Sequence, residues 1–285
     1  MIGQLLVAGV VAYLAVLVVL RLSETRLLYA PGSARTLADP PPALQLAPER
    51  VEISTADGVT LVAWIIRAPV ANRAGRWLLV CHGNGGNLAD AGRPAHYAGL
   101  RALGLNLLAF DYRGYGESGG APTEAGLYRD ADAAYRYLRE TLAVPPDRIV
   151  LFGHSLGSAV AVDLAARVPA AGLVVEGALI SVTARAQEVY PYIPVRWVAR
   201  SRYASIEKIG RVAAPNLFLH ARSDDVVPIA HGRSLFAAAG PPKTFVELAG
   251  GHGDAFEADS ATYFGALASF LSSLPAPGRS TGAGP

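Results

Sequence analysis

Residues 149–157 read Ile-Val-Leu-Phe-Gly-His-Ser-Leu-Gly, and an alanine- and valine-rich helical pattern, Ser158 to Val168, follows at once. An apolar strand that ends in Gly153-His154-Ser155-Leu156-Gly157 and turns straight into a helix is a nucleophile elbow. The flanking glycines lack a Cβ, so the helix can pack close beneath the strand while Ser155 stands at the tip. The tip is also a helix N-terminus, whose free N–H groups favour a developing negative charge. Ser155 is therefore the candidate nucleophile.

A serine hydroxyl is a weak nucleophile. It needs a general base, and the base needs a carboxylate to orient it. With this elbow the acid and then the histidine are expected later in the chain, each after a strand. The apolar run Asn216–His220 leads into Asp224 and Asp225, and the run Thr244–Leu248 leads into Gly251-His252-Gly253. His252 is the expected base; either aspartate can serve as the acid, and Glu176 is the reserve acid. His154, the variable position of the elbow, is expected to point away from a substrate. His220 and His231 have no implied partner.

A tetrahedral oxyanion needs preorganised donors. One is expected from the backbone N–H of Leu156, directly after the nucleophile. The second is assigned to the N–H of Asn84, in the loop His82-Gly83-Asn84-Gly85-Gly86-Asn87, whose glycines let backbone amides approach a ligand. Asp111 and Arg113 in Asp111–Ser118 are expected to hold a turn.

The first twenty residues set a second constraint. Ile2 to Leu20 contains one polar amide, Gln4, and no charge. As a helix it is about 28 Å long, close to a bilayer's hydrocarbon thickness. No Lys or Arg precedes it and no small-x-small site closes it, which favours an uncleaved anchor over a signal peptide. Arg21, Arg26 and Arg35 follow the span, so the positive-inside rule puts the remainder on the cytoplasmic side. The expected organisation is an anchor over 1–22, a proline-stiffened linker over 23–50, one domain over 51–274 and a disordered tail over 275–285.

Between these segments, Val51–Ala68 reads as a hairpin around Asp57-Gly58. Strand candidates Trp77–Cys81, Asn106–Phe110, Ile149–Phe152 and Gly172–Val175 alternate with helical patterns near Asn87–Leu103, Thr123–Leu142 and Leu156–Val168, and a last helix starts at Ser260 and ends by Leu274. The alternation predicts an α/β fold with a mostly parallel sheet covered on both faces. The 285 residues suffice for one large α/β domain. A formal charge of +2 without a dense basic run gives no case for nucleic-acid binding. One cysteine, Cys81, excludes an intramolecular disulfide, and its apolar strand predicts a buried, inert thiol. His82, His154 and His252 lack metal-ligand spacing with cysteine or carboxylates, so neither a metal nor a cofactor is expected.

Together, His82–Asn87, Asp111–Ser118, Gly153–Gly157, and Asp224–Pro228 followed by Gly251-His252 resemble the α/β-hydrolase superfamily. More narrowly, the chain is similar to its membrane-anchored serine hydrolases, related to serine aminopeptidase and lysophospholipase-like domains and to protein depalmitoylases. Tyr190–Ile209 resembles that branch's short cap, and Glu24–Pro31 its post-anchor segment. The resemblance covers about residues 24–272. Ala221 and Gly253 stand where the pattern usually has glycine and asparagine. The family acid sits four residues after the histidine ending the seventh strand, which selects Asp224. The resemblance implies a Ser155–His252–Asp224 triad. With Tyr190, Tyr192, Trp197 and Tyr203 beside Arg196, Arg200 and Arg202 in the cap, the expected substrate is an acyl ester or thioester delivered from a membrane. A peptidase of the aminopeptidase type and a non-catalytic membrane scaffold are the alternative expectations.

Overall fold

The computed structural model describes residues 1–33, 36–69, 75–90, 92–276 and 278. Arg35 and most of the expected tail, 275–285, lie outside the described residues. Among those described, eight strands form one sheet: β1 (Glu49–Ser54), β2 (Thr60–Ile66), β3 (Trp77–Cys81), β4 (Asn106–Phe110), β5 (Ile149–His154), β6 (Gly172–Glu176), β7 (Asn216–Ala221) and β8 (Lys243–Leu248). Their order is β1-β2-β4-β3-β5-β6-β7-β8. From β4 to β8 every pairing is parallel; β2 pairs antiparallel with β4 and β1 with β2. The hairpin expected around Asp57-Gly58 is thus the antiparallel edge.

Helices cover both faces. Leu79 and Cys81 of β3 pack with Leu127 of α3 (Glu124–Arg136), Val160 of α4 (Leu156–Ala165) and Leu235 of α7 (Ile229–Ala238). Leu78 and Val80 pack on the other side with Tyr97 of α2 (Arg93–Ala102) and Leu267 of α9 (Ser260–Ser273). Successive side chains of a strand point to opposite faces, so a strand buried on both reads as an unbroken apolar run. The chain leaves β3 toward β4 on one side and β5 toward β6 on the other. That divergence opens a crevice at the C-terminal ends of β3 and β5.

Three elements differ from the sequence expectation. α2 begins at Arg93 rather than Asn87, because the Asp90 carboxylate accepts the Asn87 amide at 2.7 Å and Gly92 has φ +80°. The helical pattern over Thr123–Leu142 divides at Arg136, after which Tyr137–Thr141 adopts a wider π-type turn. The N-terminal helix α1 (Ile2–Leu28) runs past residue 22, since neither Gly nor Pro lies between Leu22 and Pro31. Beyond α1 the chain is docked: Tyr29 is buried, its hydroxyl meets that of Tyr203 at 2.8 Å, and Ala30 bridges to Gly85. The cap consists of α5 (Val182–Val189), α6 (Val195–Val198) and short 3-10 turns through Arg211; α8 (Ala255–Ala258) precedes α9.

Candidate active site

Ser155 sits between β5 and α4 with φ 53° and ψ −121°. A non-glycine residue rarely takes a positive φ and is held there only by its surroundings. Here the surroundings are close-packed backbone. A Cβ on Gly153 would lie 2.3 Å from the Gly157 carbonyl oxygen, and one on Gly157 would lie 2.0 Å from that of Cys81. Both glycines are therefore required for α4, all ten of whose residues are buried, to lie against β3 and β5.

The turn aims Ser155 at His252. Serine Oγ lies 2.7 Å from His252 Nε2, and His252 Nδ1 lies 2.7 Å from Asp224 Oδ2. A carboxylate can only accept, so Nδ1 carries the proton and Nε2 is left to accept the serine proton. Asp224 is buried, whereas Asp225 is exposed. The other Asp224 oxygen accepts the amides of Val226 at 3.0 Å and Val227 at 2.7 Å. Burial alone would push the Asp224 carboxyl up. Hydrogen bonds from His220, His252 and the Val227 amide outweigh it and hold the carboxyl well below the usual carboxylate range. Asp224 is thus a fixed negative charge behind the imidazole.

Other expectations change in three dimensions. His220 does have partners: its Nε2 donates to the Val227 carbonyl at 2.8 Å and lies 3.4 Å from Asp224. His231 has them too: Glu188 at 3.0 Å, and the Ile180 amide, which donates to its Nδ1 at 3.3 Å. His154 does not turn away from the site; it lines the cleft, and its Nε2 donates to the His252 carbonyl at 2.9 Å, bracing the base from behind. Glu176 accepts from the Tyr263 hydroxyl at 2.8 Å, so the reserve acid is engaged elsewhere. Asp111 is fully buried, accepts the Leu88 amide at 3.0 Å and lies 3.3 Å from His82, while Arg113 pairs with Asp57 and Asp130. Burial pushes the Cys81 thiol up to about 12, consistent with an inert sulfur.

The loop after β3 lies against the elbow, since a Cβ on Gly83 would be 3.5 Å from that of Ser155. Its carbonyls are gathered by Arg93, whose guanidinium donates to Gly83 at 3.1 Å and also to Gly85 and Asn87. Arg93 was missed in the sequence because an arginine at a helix start carries no local signal. The side chain of Asn84 donates to the Leu28 carbonyl at 2.6 Å and accepts from the Tyr115 hydroxyl at 2.7 Å. Leu156, the first residue of α4, belongs to the turn whose amides have no intrahelical acceptor. A cleft of about 470 Å³ opens over Ser155 and His252, with Tyr97, Phe152 and Phe256 in its walls. Among the described residues, no group of three or more His, Cys, Asp or Glu could hold a metal ion.

The α/β-hydrolase fold model matches residues 76–197. Alpha/beta hydrolase domain-containing protein WAV2 of Arabidopsis thaliana is 30% identical over 94% of this chain and 92% of its own. The chain belongs to the α/β-hydrolase family. An uncharacterized protein of Mycobacterium tuberculosis is 38% identical over 87% of each chain. The fold is likewise that of the Pyrococcus furiosus esterase Pf2001, with a TM-score of 0.69 at 20% identity, covering 87% of this chain and 98% of the esterase.

Proposed function

We propose that this α/β-hydrolase is a membrane-anchored serine hydrolase that cleaves acyl esters or thioesters of lipid or lipidated substrates. The observation that carries the reading is the unbroken line Ser155–His252–Asp224, with 2.7 Å at both links. Ser155 Oγ attacks the acyl carbon as His252 Nε2 takes its proton. Asp224 stabilises the imidazolium without itself becoming protonated. The backbone amides of Leu156 and Asn84 receive the oxyanion, each worth on the order of a hundred- to a thousand-fold in rate. The tetrahedral adduct collapses, His252 returns the proton to the departing alkoxide or thiolate, and the acyl group stays on Ser155. Water, deprotonated by His252, then releases the acid.

Two features support an acyl substrate at a bilayer. The cleft's aromatic walls suit an apolar acyl group. α1, at 27 residues and with none of them buried, is long and apolar enough to cross a membrane. The deciding experiment is fluorophosphonate labelling of the purified chain, with the modified peptide located by mass. Labelling at Ser155 that Ser155→Ala abolishes and His252→Ala weakens is the expected result. A folded sample that does not label overturns the reading.

A further inference from the structure

α1 does not stand clear of the domain; the cap runs back along it. Glu24 accepts the amides of Arg200 at 2.8 Å and Ser201 at 2.7 Å. One turn further out, Arg21 donates to the Val198 carbonyl at 3.0 Å, and further still the Tyr13 hydroxyl donates to the Tyr192 carbonyl at 2.7 Å. Arg21 and Tyr13 are eight residues apart in the sequence, about 12 Å along a helix. The stretch from Ile2 to Ala12 that extends beyond Tyr13 is about 16 Å long, half of the roughly 30 Å hydrocarbon core. With the cap held in water, α1 could not cross.

The end of the cap has the chemistry of a surface that meets lipid. Tyr192 is 89% and Trp197 79% exposed, with Val189 and Tyr190 beside them. Large aromatic side chains displayed together favour the headgroup boundary. Glu188, the acidic residue of this stretch, is turned to Arg185 and His231. The backbone carbonyls of the tip are also engaged. Every carbonyl from Tyr190 to Val195 accepts a hydrogen bond: Gln187 serves Tyr190 and Pro191, Tyr13 serves Tyr192, and the amides of Val195, Trp197 and Ala199 serve the next three. Pro191 and Pro194 have no N–H to leave unpaired. An irregular segment enters hydrocarbon only when its backbone groups are satisfied within the protein.

We propose that the cap tip, residues 189–198, is inserted in the leaflet beside α1, with Arg21 at the headgroups, Tyr192 about 12 Å deeper, and lipid acyl chains packed against the tip. The proposal rests on α1 being a membrane anchor. A cleft of about 290 Å³ between α1 and the cap, walled by Ala186, Ile193 and Val198, runs from Leu20 on the leaflet side of Arg21 to Leu27 and Leu28 on the other. Its inner end is Leu28, whose carbonyl Asn84 holds. An acyl chain rising from the leaflet along this cleft approaches the loop proposed to bind the oxyanion.

Tryptophan quenching in vesicles tests this on the full-length chain. Trp64 and Trp77 are buried, so the difference between the wild type and Trp197→Phe isolates Trp197. In phosphatidylcholine–phosphatidylglycerol vesicles, lipids brominated in the upper acyl chain should abolish the Trp197 component, and aqueous iodide should leave it intact. Carbonate washing and fluorophosphonate labelling of the same vesicles separate the readings. If the chain resists carbonate while iodide alone quenches Trp197, the tip lies in water and the proposal falls with the anchor standing. Release by carbonate overturns the anchor and the proposal together. Lipid quenching without labelling of Ser155 sustains the insertion and overturns only the hydrolase reading.

Discussion

The side-chain amide of Asn84 donates to the backbone carbonyl of Leu28 across 2.6 Å, fastening the loop after β3 to the last turn of α1. The bridge between Ala30 and Gly85 and the bond from the Gly86 amide to the Ala30 carbonyl, at 2.9 Å, continue the attachment. The end of the apolar helix and the proposed oxyanion loop therefore form one piece of structure.

Asn84→Ala keeps the backbone amide but removes its tether. Because oxyanion donors act in the transition state rather than on bound substrate, kcat on a soluble acyl ester should fall by about ten-fold or more with KM little changed. Steady-state kinetics read the split; a raised KM at constant kcat would assign the side chain to substrate binding instead.

The two neighbouring aspartates should separate sharply. Asp224→Asn removes the charge behind His252 and lets the imidazole adopt the wrong tautomer, so kcat should fall by about a thousand- to ten-thousand-fold. Asp225→Asn, on an exposed side chain, should stay within about two-fold and change stability by no more than about 0.5 kcal/mol. Equal losses in the two variants would refute the assignment.

Gly177 has φ +55°, and a Cβ there would approach His252 Cε1 to 3.1 Å. Gly177→Ala should displace the imidazole and cost about 1–2 kcal/mol of stability for the left-handed backbone. Activity should drop more than that stability loss explains. Thermal melting beside the rate of Ser155 labelling distinguishes the two effects.

Acid should destabilise the domain through three histidines packed near the cleft, His82 buried and His96 and His154 half-buried. Burial pushes His82, His154 and His96 below the usual imidazole value, His96 to about 3. A depressed folded pKa means that the unfolded chain binds more protons at intermediate pH. The stability of a neutral His96 is therefore full above pH 6.5 and is lost as pH falls toward about 3, by up to about 1.4 kcal/mol per pH unit. Denaturant unfolding in detergent should show a shallower acid slope for His96→Phe than for the wild type.

Much of this architecture was legible in the chain. β3, β4, β5 and β6 are buried on both faces and so read as uninterrupted apolar runs, with ends within a residue or two of the observed ones. The elbow was legible because Gly153 and Gly157 answer a local steric demand that only glycine meets. The start of α2 was not, since the amides of Asn87 and Ala89 are taken by the Asp90 and Asn87 side chains in a way that helical periodicity does not reveal. Nor was Arg93, whose three carbonyl partners lie in a loop that folds back over it.

By itself the sequence determined what depends on neighbours along the chain: the strand–serine–helix turn, the parallel alternation and an apolar helix long enough to cross a bilayer. Tertiary structure alone decided that Arg93 gathers the carbonyls of Gly83, Gly85 and Asn87, and that Tyr13 meets Tyr192, 179 residues on. Periodicity and propensity act over a few residues. Which side chains then converge depends on how the sheet twists and on how the cap closes against α1.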